Sequence, residues 1–416
     1  MTASASLVLG HAGRAHGGAS RSPLNLAVAA GAAAAAAFGA LALAQAISPR
    51  QAALYVVGTL MGLVLYHAAF GFTSAWRVFI ADRRGAGLRA QMVMLAVAAT
   101  LFFPALSAGT LLGQPVSGLV APVGVSVAVG AFIFGLGMQL GGGCASGTLY
   151  TVGGGSTRML VTLAFFIVGS TIGAAHLHWW SALPSLPRAS LIQLWGPWTA
   201  LAANLAVFAA LAWLTVVLEK RRHGALEGPP AAPREGLARV LRGPWPLVWG
   251  AVALALLNFA TLALAGRPWG ITSAFTLWGS KLAQLGGIDA WAWPYWATPA
   301  RAAELEGSVF ADVTSVMDFG IIVGALLAAG LAGRFAPTWR VPPRSLLAAV
   351  VGGLLLGYGA RLAYGCNIGA YFSGIASGSL HGWAWLFFAF FGNVAGTRLR
   401  PLFGLEVERA PKLTGC

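Results

Sequence analysis

Two cysteines carry most of the chemistry this sequence can offer. Cys144 stands in GLGMQLGGGCASGTLY at 135–150, and Cys366 stands in GYGARLAYGCNIGAYF at 357–372. Aligned on each other, the two runs share Gly135/Gly357, Gly137/Gly359, Leu140/Leu362, Gly143/Gly365, Cys144/Cys366 and Gly147/Gly369. A lone buried cysteine is usually a small, inert hydrophobe, and that reading suffices for Cys416 at the tail. Cys144 and Cys366 differ because each follows a glycine at a matching place. An ordinary thiol pKa of about 8.5 leaves both largely neutral near pH 7. A neutral S–H donates a weak hydrogen bond to an anion without a fixed charge that would trap it. Ser146 and Asn367 set neutral polar groups beside the thiols, and a soft, sulfur-bearing anion would suit such a site. No CxxC pair or even-numbered framework exists, so neither a metal site nor a disulfide scaffold is expected, and no cofactor or catalytic group is indicated.

The glycines before each cysteine would let the chain leave a helix and turn. A short helix starting near Cys144 or Cys366 would aim free N–H groups at whatever lies ahead, and such N-termini attract anions. Two of them, placed pseudo-symmetrically, would form a two-sided anion constriction. Close helix packing in a bilayer is the competing explanation for Gly143, Gly365 and their neighbours. Arg361 precedes Cys366 by five positions, where the first run has Gln139. A cation inside an apolar span is a site candidate, and snorkelling to the interface is its alternative. Asp318 could couple protons or partner Arg361, but capping the helix or lying at the interface is the simpler role. His67 could titrate, but a packed neutral imidazole is the simpler role.

A second pair of motifs lies upstream. Gly71-Phe72-Thr73-Ser74-Ala75-Trp76 resembles Gly270-Ile271-Thr272-Ser273-Ala274-Phe275. The shared polar positions are Gly71, Thr73 and Ser74 in the first half and Gly270, Thr272 and Ser273 in the second. Both motifs recur in the same order, which chance similarity between Gly-rich segments does not explain.

The elements that must hold these residues are membrane spans. Of 416 residues, 58% are hydrophobic and only 9% charged, with a net charge of +15. A soluble domain carries roughly 25% charged residues, so a water-facing surface is excluded for a body of this size. The cations sit in short clusters between apolar stretches, which orients a membrane protein and is no nucleic-acid footprint. Apolar runs of about 20 residues cross a bilayer core, and they are expected at 26–46, 52–72, 91–113, 118–140, 158–180, 198–218, 246–266, 314–333, 345–364 and 382–400. The end of the first, Ala42 to Ala46, also has the look of a signal-peptidase site, but its length favours a span.

With the N-terminus inside, the outer segments hold only Arg50, Arg188, Arg267, Lys281 and Arg301, as the positive-inside rule asks. Both termini are then cytoplasmic. The polar stretch 219–245 divides the chain into a first membrane repeat at 26–218 and a second at 246–402, between an N-terminal arm at 1–25 and a tail at 403–416. The Trp-rich outer stretch 267–313 is too apolar for a plain loop and is expected to include a partial helix. An odd number of spans separates the cysteine motifs, so the halves insert in opposite senses. The fold class is an all-α polytopic membrane protein of about ten spans plus short broken or re-entrant helices, built as two inverted-topology repeats, which is a transporter architecture.

Taken together, GFTSAWR at 71–77, GLGMQLGGGCASG at 135–147, WGITSAFTLWGSK at 269–281, TSVMDFGIIVGA at 314–325 and GYGARLAYGCNIGAYFSGI at 357–375 resemble the YeeE/YedE membrane family of sulfur-compound transporters. The resemblance runs from about residue 52 to 402. It implies an hourglass with a narrow centre in the bacterial inner membrane, thiosulfate uptake, and cysteines that hydrogen-bond the passing ion. Cys144 and Cys366 match the family's two central cysteines. The family often has a third cysteine upstream, where this chain has Gly71, with Gly270 in the second repeat. The resemblance also implies a small TusA-type sulfur-carrier protein as a cytoplasmic partner.

The leading expectation is therefore a permease or channel for thiosulfate or a related small sulfur anion, with no enzymatic role. Another soft oxyanion, such as sulfite or a selenium species, is the nearest alternative. A membrane thiol–disulfide oxidoreductase needs paired thiols within reach, and one cysteine per half leaves that reading open only if both breaks meet. A purely structural subunit would have no central path.

Overall fold

The computed structural model describes residues 24–228 and 235–407. The expected arm before residue 24, the end of the tail and Cys416 lie outside the described residues. The chain is almost wholly helical. In order it forms α1 (Leu26–Ala46), α2 (Pro49–His67), α3 (Phe72–Asp82), α4 (Ala86–Ala108), α5 (Val125–Gly141), α6 (Ala145–Gly153) and α7 (Thr157–Ser181). There follow α8 (Leu191–Trp195), α9 (Pro197–His223), α10 (Gly236–Arg242), α11 (Leu247–Ala265), α12 (Thr272–Leu285) and α13 (Pro299–Glu306). The chain ends with α14 (Val313–Ala332), α15 (Pro343–Leu362), α16 (Gly374–Ala376) and α17 (Leu380–Leu399), with a π-helical stretch Asn367–Ser373 between α15 and α16.

Nine helical segments among the described residues are long and apolar enough to cross a membrane, two of them formed by α2 with α3 and by α5 with α6. This is an all-α, multi-pass membrane protein. The tenth expected span is α17, 20 residues long. His381, Asn393 and its tryptophans make it less apolar than the nine, and His381, Asn393 and Thr397 are buried in the protein.

Some elements were not foreseen. The motif at 71–77 opens a separate helix, α3, because Ala69 takes a positive φ of 46° and turns the chain after α2. The polar stretch 219–245 is partly helical, since α9 runs on to His223 and α10 forms beyond it. Two short antiparallel pairs, Thr110–Leu111 with Gln114–Pro115 and Val123–Gly124 with Ser185–Leu186, close the connections before α5. The expected partial helix in 267–313 is α12, followed by two 3₁₀ turns and α13.

Helices of the two halves interlock rather than lie side by side. α15 packs on both α5 and α7, α17 packs on α5, and α14 packs on α2. In a bilayer, hydrophobicity does not drive such contacts, so small residues that allow close van der Waals approach must. Gly324 shows the requirement: a Cβ there would collide with the carbonyl of Thr59 on α2. Near the α4 and α9 ends, buried Glu219 gathers cations, accepting from Arg89 Nη1 at 2.7 Å and from the Gly85 amide at 3.0 Å. Arg89, one of the clustered cations, thereby ties α4 to α9.

Candidate functional site

The cysteine motifs are helix breaks. α5 ends when Gly142 enters the left-handed region at φ 91° and its amide bonds back to Met138 O at 3.0 Å, a glycine C-cap. Cys144 is then extended and caps α6: its carbonyl accepts from the Thr148 amide at 2.8 Å, and its sulfur accepts from the Gly147 amide at 3.4 Å. The Ser146 hydroxyl lies 3.3 Å from the same sulfur. Gly143 only links the two helices, with Met159 and the start of α6 around it.

Two buried guanidinium groups hold this break from the α5 side. Arg158, on α7, donates from Nη1 to Gly141 O and from Nη2 to Leu140 O, both at 2.7 Å. Arg400 donates to Gln139 O at 2.6 Å. The last carbonyls of a helix carry partial negative charge and lack intrahelical donors, so cations suit them. In the sequence both arginines fall among the cations assigned to the inner side. The available clue was that Arg158 follows the break by one short helix, inside an expected span.

The second break has the same outline and different partners. α15 ends at Leu362, Tyr364 takes φ 56°, and Gly365 takes φ 149°, where a side chain would be strained and would also strike the Ala370 amide. Cys366 is extended, and its carbonyl accepts from the amides of Ala370 at 2.8 Å and Tyr371 at 3.3 Å, opening the π-helical stretch. The carbonyls around this break are met by neutral donors: Ser126 Oγ to Leu362 O (2.7 Å), His381 Nε2 to Ala363 O (2.9 Å) and Trp385 Nε1 to Gly365 O (3.2 Å).

Polar capacity is left over on this side. The Cys366 sulfur makes no cap hydrogen bond. Neither Asn367 Oδ1 nor Nδ2, nor the Tyr371 hydroxyl one turn on, has a hydrogen-bond partner among the described residues, although all are buried. The Tyr371 ring lies among Phe72, Trp76 and Trp385, at centroid distances of 6.0–6.2 Å. The helices that follow the two cysteines touch each other, so the breaks meet in the interior. Both cysteines are free thiols and both are buried.

The upstream motifs reach the same region unequally. Gly71 caps α3, Ser74 turns its hydroxyl back to Gly71 O at 3.2 Å, and a side chain at position 71 would meet that hydroxyl and approach Tyr150. Thr73 is buried, its carbonyl accepts from Gln139 Nε2 at 3.2 Å, and its hydroxyl is without a partner among the described residues. In the second half, Gly270 precedes α12, the Thr272 carbonyl accepts from Thr276, and Ser273 donates to Thr314 Oγ1 at 3.1 Å on α14. Gly270, Thr272 and Ser273 thus serve α12 and its seat on α14, with no bond to the break.

Arg361 is buried and engaged. Its Nη1 donates to Tyr295 OH at 2.5 Å and to Thr276 Oγ1 at 3.2 Å, and its guanidinium lies 5.1 Å from the Tyr295 ring centre. It makes no ion pair with Asp318, whose oxygens have no hydrogen-bond partner among the described residues. Arg77 and Thr276 hold matching places in the upstream motifs, as Gln139 and Arg361 do in the cysteine runs, so within these motifs each half places a buried arginine on a different helix. That exchange is readable in the sequence only once both motifs are aligned. His67 packs on Trp245 at the α2 end, away from the breaks.

A family model described as sulphur transport matches residues 67–395. The probable transporter YedE of Escherichia coli is 34% identical over 166 residues, 39% of this chain and 40% of that protein. The chain thus spans about two-fifths of the length of the YedE relatives it matches. The thiosulfate transporter TsuA of Spirochaeta thermophila is 28% identical over 344 residues, covering 81% of this chain and 95% of that one. TsuA of Escherichia coli is 25% identical over 356 residues, covering 81% and 91%.

Proposed function

Because this chain belongs to the sulphur-transport family, we propose that it carries thiosulfate, or a closely related small sulfur anion, across the bacterial inner membrane into the cell. The observation that carries this reading is the unspent hydrogen-bonding capacity at the second break: Asn367 and Tyr371, buried with Cys366 beside the break that holds Cys144. A permeating anion must leave water and find replacement donors that bind well enough to admit it and weakly enough to release it. Thiols, a carboxamide N–H, a phenol O–H and the free amides of α6 are neutral donors of that kind. No fixed cation is needed at the narrowest point, and Arg361, tied to Tyr295 and Thr276, supplies positive potential from one side.

In this reading the halves are two inverted repeats meeting at the breaks, with both termini cytoplasmic, and the thiols pass the ion without exchanging electrons. Membership in a transport family favours this over the oxidoreductase. A TusA-type carrier on the cytoplasmic side would accept the sulfur after entry. Uptake of ³⁵S-thiosulfate by a host that lacks its own system tests the proposal. The wild-type chain should restore uptake, with Cys144→Ala and Cys366→Ala both reducing it. Unchanged uptake in both variants would remove the thiols from the path. Preferential competition by sulfite or selenite would move the substrate to another soft oxyanion, as Gly71 in place of a third thiol allows.

A further inference from the structure

The path described above leaves one buried ionisable group without a task. Asp318 sits in the second turn of α14, is fully buried, and neither carboxyl oxygen has a hydrogen-bond partner among the described residues. The helix start is already served by Asp312, which accepts from the Ser315 amide at 2.8 Å and hydroxyl at 2.7 Å, so Asp318 is no cap.

Its placement follows from the helix faces. Met317, Gly320, Ile321 and Gly324 press against α2, whereas Ile322 and Ala325 pack on Gly153 of α6. Asp318 lies one turn before Ile322 and so shares the face turned to α6, the helix that Cys144 caps. It is also close enough to Cys366 for the two groups to interact electrostatically. The carboxyl therefore adjoins the meeting point of the breaks.

Among the described residues no cation is hydrogen-bonded or ion-paired to it. Asp312 and Cys366 are ionisable neighbours, and Arg267, beside the start of α14, is engaged by Asp312 at 3.7 Å and Thr314 at 3.4 Å. Among the elements packed against α14, α1 has no ionisable side chain, and α2 has Arg50, Tyr55, Tyr66 and His67. On α6 there is Tyr150 together with the capping Cys144, on α12 Lys281, and on α10 Arg239 and Arg242. Of these, Lys281 donates to Leu305 O at 2.7 Å, Arg242 to Leu331 O at 3.1 Å, Arg239 to Pro244 O at 3.2 Å and Tyr55 to Ala35 O at 3.3 Å.

A carboxylate buried in a membrane protein without donors or a counter-ion is strongly disfavoured, and the neutral acid is the form such a site accommodates. Anion entry raises a matching demand. A dianion entering a negative interior works against the membrane potential with both of its charges. We propose that Asp318 is the proton carrier that couples anion uptake to the proton gradient. It takes a proton from the outer solution when the path opens outward, forming one O–H bond. It gives that proton to inner water when the path opens inward, and no electrons move. One proton per cycle lowers the net charge carried with a dianion from −2 to −1.

This rests on the transport reading, and the experiment separates the two. The full chain is placed in liposomes containing a pH-sensitive dye, and ³⁵S-thiosulfate uptake is followed. Counterflow at equal pH without a potential reports transport alone, and its absence in the wild type would overturn the transport reading. An inward proton gradient should raise wild-type uptake at least about fivefold, with acidification of the lumen on thiosulfate addition. Asp318→Asn should lose both effects while still giving counterflow, and Asp318→Glu should regain part of them. Wild-type uptake indifferent to the proton gradient, or driven by a sodium gradient with pH clamped, would overturn the assignment whether or not the variants fold. So would an Asp318→Asn protein that still acidifies the lumen.

Discussion

The two glycine–cysteine breaks share an outline and differ in what holds them. At the first, Arg158 and Arg400 bring two buried guanidinium groups to three consecutive carbonyls, and the Cys144 sulfur is bonded within its own turn. At the second, the carbonyls are met by Ser126, His381 and Trp385, and Asn367 and Tyr371, beside Cys366, keep donors or acceptors unused. A buried polar group without a partner costs about 1–3 kcal/mol, and such groups persist where something else needs them. In the proposed path, the first break would act as a fixed wall and the second would offer the ion its replacement for water.

That contrast predicts two kinds of variant. Removing the clamp should damage stability first. Arg158→Ala leaves the Leu140 carbonyl without its guanidinium donor and should cost about 3–4 kcal/mol, read as a large fall in the unfolding temperature in detergent. His381→Ala removes one neutral bond and should cost about 1–2 kcal/mol. An equal loss in the two variants would erase the distinction between charged and neutral clamps.

Removing unused groups should do the reverse. Cys366→Ala and Asn367→Ala should lower uptake about tenfold or more, the worth of one hydrogen bond to an ion, with the unfolding temperature held. Cys144→Ala should lower uptake less and cost about 0.5–1 kcal/mol as a lost cap. Tyr371→Phe should be neutral or slightly stabilising, because it deletes an unpaired hydroxyl, and should slow uptake about threefold. The smallest expected effect is from Gly71→Cys. Its side chain would meet only the movable Ser74 hydroxyl and approach Tyr150, so stability should change by less than about 1 kcal/mol. Any change in uptake would report whether a third thiol adds a station.

Much of this architecture was legible in the sequence because a bilayer makes strong demands on composition. The span expected at 26–46 is α1, and those expected at 158–180 and 314–333 are α7 and α14 to within a residue. The breaks were legible too, since glycine–cysteine pairs inside apolar runs have few structural explanations. The asymmetry between them was not. It depends on partners far away in the chain, such as Arg400 on Gln139 and Ser126 on Leu362, which no local spacing reveals. Nor could the π-helical stretch after Cys366 be read from NIGAYFS, which is as compatible with an ordinary helix. Arg361 drew notice as an intramembrane cation, but its partners, Thr276 on α12 and Tyr295 in the irregular stretch after it, lie far away in the chain, where local spacing says little.

The most direct test of the unequal breaks is a density map of the protein in lipid nanodiscs with thiosulfate. The ion should lie within hydrogen-bonding reach of the Cys366 sulfur and the Asn367 carboxamide, with Tyr371 turned toward it and the Arg158 clamp unmoved. An ion held at Cys144 alone, with Asn367 and Tyr371 still unpaired, would contradict the account.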